Sequence, residues 1–73
     1  MEQLAQFRAE LREVPGLVER RPGAFSRKSK AFLHFHEDPT GPYADVRLAD
    51  DFERVRVATT EEREQLLARI RAL

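Results

Sequence analysis

The sequence predicts an α+β fold: a two-layer sandwich in which an antiparallel sheet of three to five strands carries an N-terminal and a C-terminal helix on one face, in the order α-β-(β)-β-β-α. Three observations predict it. Residues 31–57 alternate apolar and polar side chains with period two, the pattern of a half-buried sheet. Both ends of the chain repeat their apolar residues at helical spacing instead. Clusters of proline, glycine and aspartate separate the segments. Each helix has a single apolar stripe, so both are expected to cover the apolar side of the sheet and leave its other side bare.

In the first helix Leu4, Phe7, Leu11 and Val14 recur at i, i+3, i+7 and i+10, while Glu2, Gln3, Gln6, Arg8, Glu10, Arg12 and Glu13 fill the polar side. Pro15-Gly16 ends it, because proline cannot donate the next helical hydrogen bond and glycine accepts the positive φ found just past a helix. Residues 17–21 are expected to be extended up to Pro22-Gly23, and Ala24-Phe25-Ser26 to begin another extended piece, so that 17–26 read as one strand or two.

Arg27-Lys28-Ser29-Lys30 is a polar turn into the best strand, 31–37, where Leu33 and Phe35 alternate with His34 and His36. Asp38-Pro39-Thr40-Gly41-Pro42 closes a hairpin onto strand 44–48, and Ala49-Asp50-Asp51-Phe52 turns the chain into strand 53–57. Facing Glu37 with Ala44 pairs Phe35 with Val46, Leu33 with Leu48, His36 with Asp45 and His34 with Arg47. Facing Leu48 with Glu53 pairs Val46 with Val55, Asp45 with Arg56 and Arg47 with Arg54. A slip of one residue would throw every apolar side chain to the wrong face, so the pattern fixes parity strongly and exact register weakly.

Thr59 followed three residues later by Glu62 is a capping-box signature that starts the second helix, and Glu61, Glu62 and Glu64 put negative charge where the helix dipole favours it. Its stripe is Leu66, Leu67, Ile70 and Leu73, with Arg69 and Arg71 near the end.

The chain has 73 residues and reads as one domain, 1–73. At that size a single core rarely yields more than about 3–5 kcal/mol of net stability, so self-association is an inexpensive way to bury more surface. The absence of cysteine removes disulfides, thiolate metal sites and cysteine nucleophiles, and fits a reducing compartment. The N-terminus lacks the basic and apolar regions of a signal peptide and no apolar run is long enough to cross a membrane, so a cytoplasmic protein with no membrane partner is the expectation. Thirteen acidic residues balance thirteen basic ones, so no net charge draws the chain to nucleic acid, a partner that is disfavoured but not excluded.

The bare sheet face is where chemistry can reside. Phe32, His34, His36, Asp45, Arg47, Phe52, Arg54 and Arg56 are its candidate binding residues, with Tyr43 beside the hairpin turn. Four readings compete for them. His34, His36 and Asp45 form a two-histidine, one-carboxylate ligand set, although Arg47 and Arg56 compete for the same acid and space. Arg47, Arg54 and Arg56, with His34 and Lys30, form an anion site for phosphate, nucleotide or nucleic acid, where Phe32 and Phe52 offer stacking surfaces. Phe32, Phe52 and Tyr43 as anchors inside an arginine rim form a protein interface, with a homodimer as its simplest product. The plainest reading is a solvated sheet with cross-strand ion pairs, against which stands the like-charge pairing of Arg47 with Arg54. Catalysis has little support: the chain lacks a nucleophile elbow and a glycine-rich phosphate loop, and Ser26 and Ser29 sit beside basic residues in a turn region. The expectation is a non-enzymatic module without a cofactor.

Pro15-Gly16 after the first helix, an aromatic-x-His-x-His strand at Phe32 to His36, and Asp45-Val46-Arg47-Leu48 resemble the short bacterial proteins labelled luciferase-domain and, more distantly, the MmcQ/YjbR-like proteins. The likeness covers about half the chain, from Phe25 to Leu48, and implies a compact α+β fold with no catalytic residue to carry over. The chain has no tryptophan, unlike the end of the former group, and is shorter than the latter.

Overall fold

A computed structural model describes residues 4–73; Glu2 and Gln3, expected on the polar side of the first helix, lie outside them. Helix α1 (Ala5–Arg12) is followed by strands β1 (Leu17–Arg21), β2 (Ala24–Arg27), β3 (Lys30–Asp38), β4 (Gly41–Val46) and β5 (Glu53–Arg56), and by helix α2 (Thr60–Arg71). The five strands form one antiparallel sheet in chain order. This is the α+β fold that the sequence predicts, with residues 17–26 divided into two strands.

Both helices lie on one side of the sheet. Leu4, Phe7 and Leu11 from the α1 region and Leu66, Leu67 and Ile70 of α2 share one buried cluster with Leu17, Phe25, Leu33, Ala44, Val46 and Val57. Phe7 meets Phe35 edge-on with ring centroids 5.9 Å apart. Ion pairs fasten the two layers at opposite sheet edges. At β1, Glu19 receives Arg8 Nε at 2.8 Å and Arg12 Nη1 at 2.5 Å, and at β5, Glu53 is bridged by both terminal nitrogens of Arg69 at 3.0 Å.

The helix ends follow local chemistry. The capping box is present in full: Thr59 Oγ1 accepts from the Glu62 N–H at 3.1 Å and Glu62 Oε1 from the Thr59 N–H at 3.0 Å. Helix α1 stops at Arg12, ahead of Pro15, yet Val14 remains buried because its N–H continues to Leu11 O at 3.1 Å. The expected α2 stripe is one residue too long, since Leu73 lies beyond the helix and is half exposed.

The parity of the sheet is as predicted and both hairpin registers are shifted by two residues. Strand β3 pairs Leu33 with Val46, His34 with Asp45, Phe35 with Ala44, His36 with Tyr43 and Glu37 with Pro42. Strand β4 pairs Tyr43 with Arg56, Ala44 with Val55, Asp45 with Arg54 and Val46 with Glu53. The expected partners His36 with Asp45, His34 with Arg47, Asp45 with Arg56 and Arg47 with Arg54 are therefore replaced. For the β3–β4 hairpin the reason is its turn. Asp38 Oδ1 accepts from both the N–H and the Oγ1 of Thr40, at 3.0 and 2.8 Å, which tightens the reversal to Pro39-Thr40 and starts pairing at Asp38 and Gly41. Pro42 and Tyr43 thereby enter β4, which begins at Gly41 and ends at Val46 instead of spanning 44–48. Gly41 has φ +127, a backbone conformation that selects glycine.

Phe32 departs from the alternation. Ser26 pairs with Ala31 and Phe25 with Leu33, so Phe32 is the extra residue of a β-bulge. Phe32 and Leu33 are then both buried, and Phe32 is 3% exposed within the core cluster. Its assignment to the bare face is corrected: the extra residue offsets the period-two alternation by one, so Phe32 joins Leu33 on the core side while Ala31 falls on the opposite side.

The β2–β3 turn carries backbone strain. Lys28 and Ser29 have φ of 54° and 66°, a left-handed conformation that two-residue hairpin turns require and that L side chains adopt at a cost of about 1–2 kcal/mol. Ser29→Gly is expected to raise stability by about 0.5–1 kcal/mol, the relieved strain being partly offset by the greater freedom of glycine in the unfolded chain. Urea unfolding measures this, and a loss of stability would contradict the strain assigned to Ser29.

Candidate functional site

The sheet face opposite the helices bears two parallel rows of side chains set by the observed register. In one row His34, Asp45 and Arg54 lie side by side across β3, β4 and β5; in the next lie His36, Tyr43 and Arg56. Asp45 is the hub of the first row. Arg54 grips it with two hydrogen bonds, Nε to Oδ1 at 2.8 Å and Nη2 to Oδ2 at 3.1 Å, and His34 Nε2 stands 3.2 Å from Oδ2. The Arg54 hydrogen bonds outweigh the opposing effect of burial and, with the charges of Arg54, His34 and His36, hold the Asp45 carboxyl below its ordinary value.

The second row is tied to the hairpin turn and to α2. Tyr43 Oη lies 2.9 Å from Thr40 Oγ1. Arg56 reaches Glu62 Oε2 with Nη1 at 3.1 Å and Thr40 O with Nε at 3.4 Å. Among the described residues Arg54 and Arg56 thus each have a carboxylate partner, and the like-charge contact expected between Arg47 and Arg54 is not made.

Arg47 and Phe52 complete the face at the loop after β4. The Arg47 guanidinium carbon stands 4.6 Å from the centroid of the Phe52 ring, whose other neighbour is His34 at 5.9 Å between centroids. Phe52 is 42% exposed. Arg47 Nε is buried without a hydrogen-bond partner, and no ion pair among the described residues involves Arg47. Arg47 is positioned by main-chain pairing, its N–H donating to Phe32 O at 2.8 Å.

Of the residues singled out from the sequence, the structure brings together His34, Asp45, Arg54, Arg47 and Phe52, sets His36 and Arg56 in the adjoining row with Tyr43, and removes Phe32 to the core. The set His34, His36 and Asp45 does not close around an ion position: among the described residues no group of three or more histidines and carboxylates is gathered, and both Asp45 oxygens are engaged. Sequence reasoning placed Lys30 with Arg47 but missed Arg27 and Lys28, which join them in a cleft at the sheet end. A signal for it exists, because residues 20–31 hold five of the thirteen cations and none of the acids.

The chain matches no family model, no curated protein and no solved structure. Among the described residues no helix is long and apolar enough to cross a membrane.

Proposed function

We propose that the chain is a non-enzymatic binding and assembly module whose bare sheet face meets the same face of a second copy. The observation that carries this reading is an entire face of a five-stranded sheet that neither helix covers, with Phe52 exposed beside it in the β4–β5 loop and Val18 exposed on the edge strand β1. A standard interface removes about 800 Å² from each partner, about a sixth of this chain's accessible surface of 4838 Å², an area one sheet face can supply. The small core gives such burial a thermodynamic role beyond recognition.

The engagement of Arg54 by Asp45 and of Arg56 by Glu62 supports this reading over a three-arginine anion site. Sedimentation equilibrium over a wide concentration range is expected to reveal a monomer–dimer equilibrium. Phe52→Arg should weaken association roughly tenfold or more while preserving the folded monomer, because its ring is an exposed aromatic anchor. A wild-type chain that stays monomeric at about millimolar concentration would refute the proposal.

A further inference from the structure

A second candidate site lies at the end of the sheet, around the β2–β3 turn. Arg27, Lys28, Lys30 and Arg47 line a cleft of about 200 Å³ whose remaining walls include Phe32, Leu48 and Ala49. No carboxylate lines it, and among the described residues none of the four cations has an ion-pair partner. This contrasts with the arginines at the other sheet edge, Arg54, Arg56 and Arg69, each of which is paired. Asp50 and Asp51 follow Ala49 in the chain but are not part of the lining.

Four like charges around one cleft repel each other, and the turn that presents two of them holds its backbone at positive φ through Lys28 and Ser29. Arg47 is fixed in advance: the Phe52 ring backs its guanidinium, and no protein acceptor takes its hydrogen bonds among the described residues. A planar guanidinium held this way, with two lysines and a second arginine nearby, suits two oxygens of a phosphate group. The cleft volume is below the roughly 300–1,000 Å³ of pockets that enclose a whole small molecule, so the phosphate end enters and the rest of the ligand stays in solvent. We propose that this cleft binds the phosphate end of a small ligand, either inorganic polyphosphate or the phosphate chain of a nucleotide. The site is separate from the self-association surface except at Arg47, and it does not depend on that reading.

The test titrates the full-length chain with inorganic pyrophosphate, a nucleoside triphosphate and a single-stranded oligonucleotide, followed by amide-resolved NMR at constant ionic strength. Saturable shifts centred on residues 27–30 and 47–49 are expected. Response to pyrophosphate and nucleotide alike assigns recognition to the phosphates alone, and response to the nucleotide only assigns an added contact to the nucleoside. In Lys28→Gln/Lys30→Gln, whose replaced side chains are exposed so that the fold is retained, affinity should fall roughly fivefold or more. No saturable shift with either small ligand, shifts reproduced by chloride, binding by the oligonucleotide alone, or unchanged affinity in the double variant would each overturn the proposal.

Discussion

Truncating Phe32 to alanine is expected to destabilise the chain by about 3–4 kcal/mol, whereas Phe52→Ala should cost less than about 1 kcal/mol. The two phenylalanines look alike in the sequence, each beside a polar strand segment. Their surroundings separate them. Phe32 is 3% exposed inside the core cluster, so its removal forfeits apolar burial and leaves a cavity. Phe52 is 42% exposed, and its loss removes the support of Arg47 and a contact with His34. Urea unfolding of both variants at a concentration where the chain is monomeric compares them. Equal losses would show that the bulge at Phe32 does not turn its ring into the core.

Replacing Glu19 by glutamine is expected to cost about 2–3 kcal/mol at neutral pH and to remove much of the acid sensitivity of the fold. Glu19 stands under α1 with its side chain 11% exposed. Burial alone would raise its pKa, but the Gly23 N–H at 2.8 Å and the Arg8 and Arg12 guanidinium groups outweigh burial and bring it from 4.5 down to about 2. A folded-state pKa below the unfolded one means that the stabilisation is fully present above about pH 4.5 and is lost as pH falls towards 2. The stability difference between wild type and Glu19→Gln should therefore be constant from neutral pH down to about 5 and shrink below that. Other carboxyls lowered in the folded chain, Asp38, Asp45, Glu53 and Glu62, are unchanged in the variant, so subtraction isolates Glu19. A difference that stays the same through this acid range would contradict the clamp.

The clamp itself was not legible from the sequence. Glu19 lies in a short strand with arginines on its C-terminal side, and only the packing of α1 over β1 brings Arg8 and Arg12 to it across 11 and 7 residues. The capping box of α2, by contrast, was readable because Thr59 and Glu62 act within one helical turn. The candidate face divides in the same way. That His34, Asp45, Arg47 and Arg54 share a surface follows from alternation, while the place of Asp45 beside His34 depends on the β3–β4 register and the grip of Arg54 on it on the β4–β5 register, which alternation leaves open.

What the sequence determined by itself is what repeats with short period: two amphipathic helices, one strongly capped, an antiparallel sheet, and the faces to which most of its side chains point. Period-two alternation survives a slip of two residues unchanged, which is why the sides of the sheet were readable and the cross-strand partners were not. Tertiary structure decided the partners of Asp45, the burial of Phe32 and the gathering of Arg27, Lys28, Lys30 and Arg47 at one cleft. Each depends on a turn geometry, a bulge or a contact between distant segments, whose energies are settled by the assembled chain and leave no periodic trace along it.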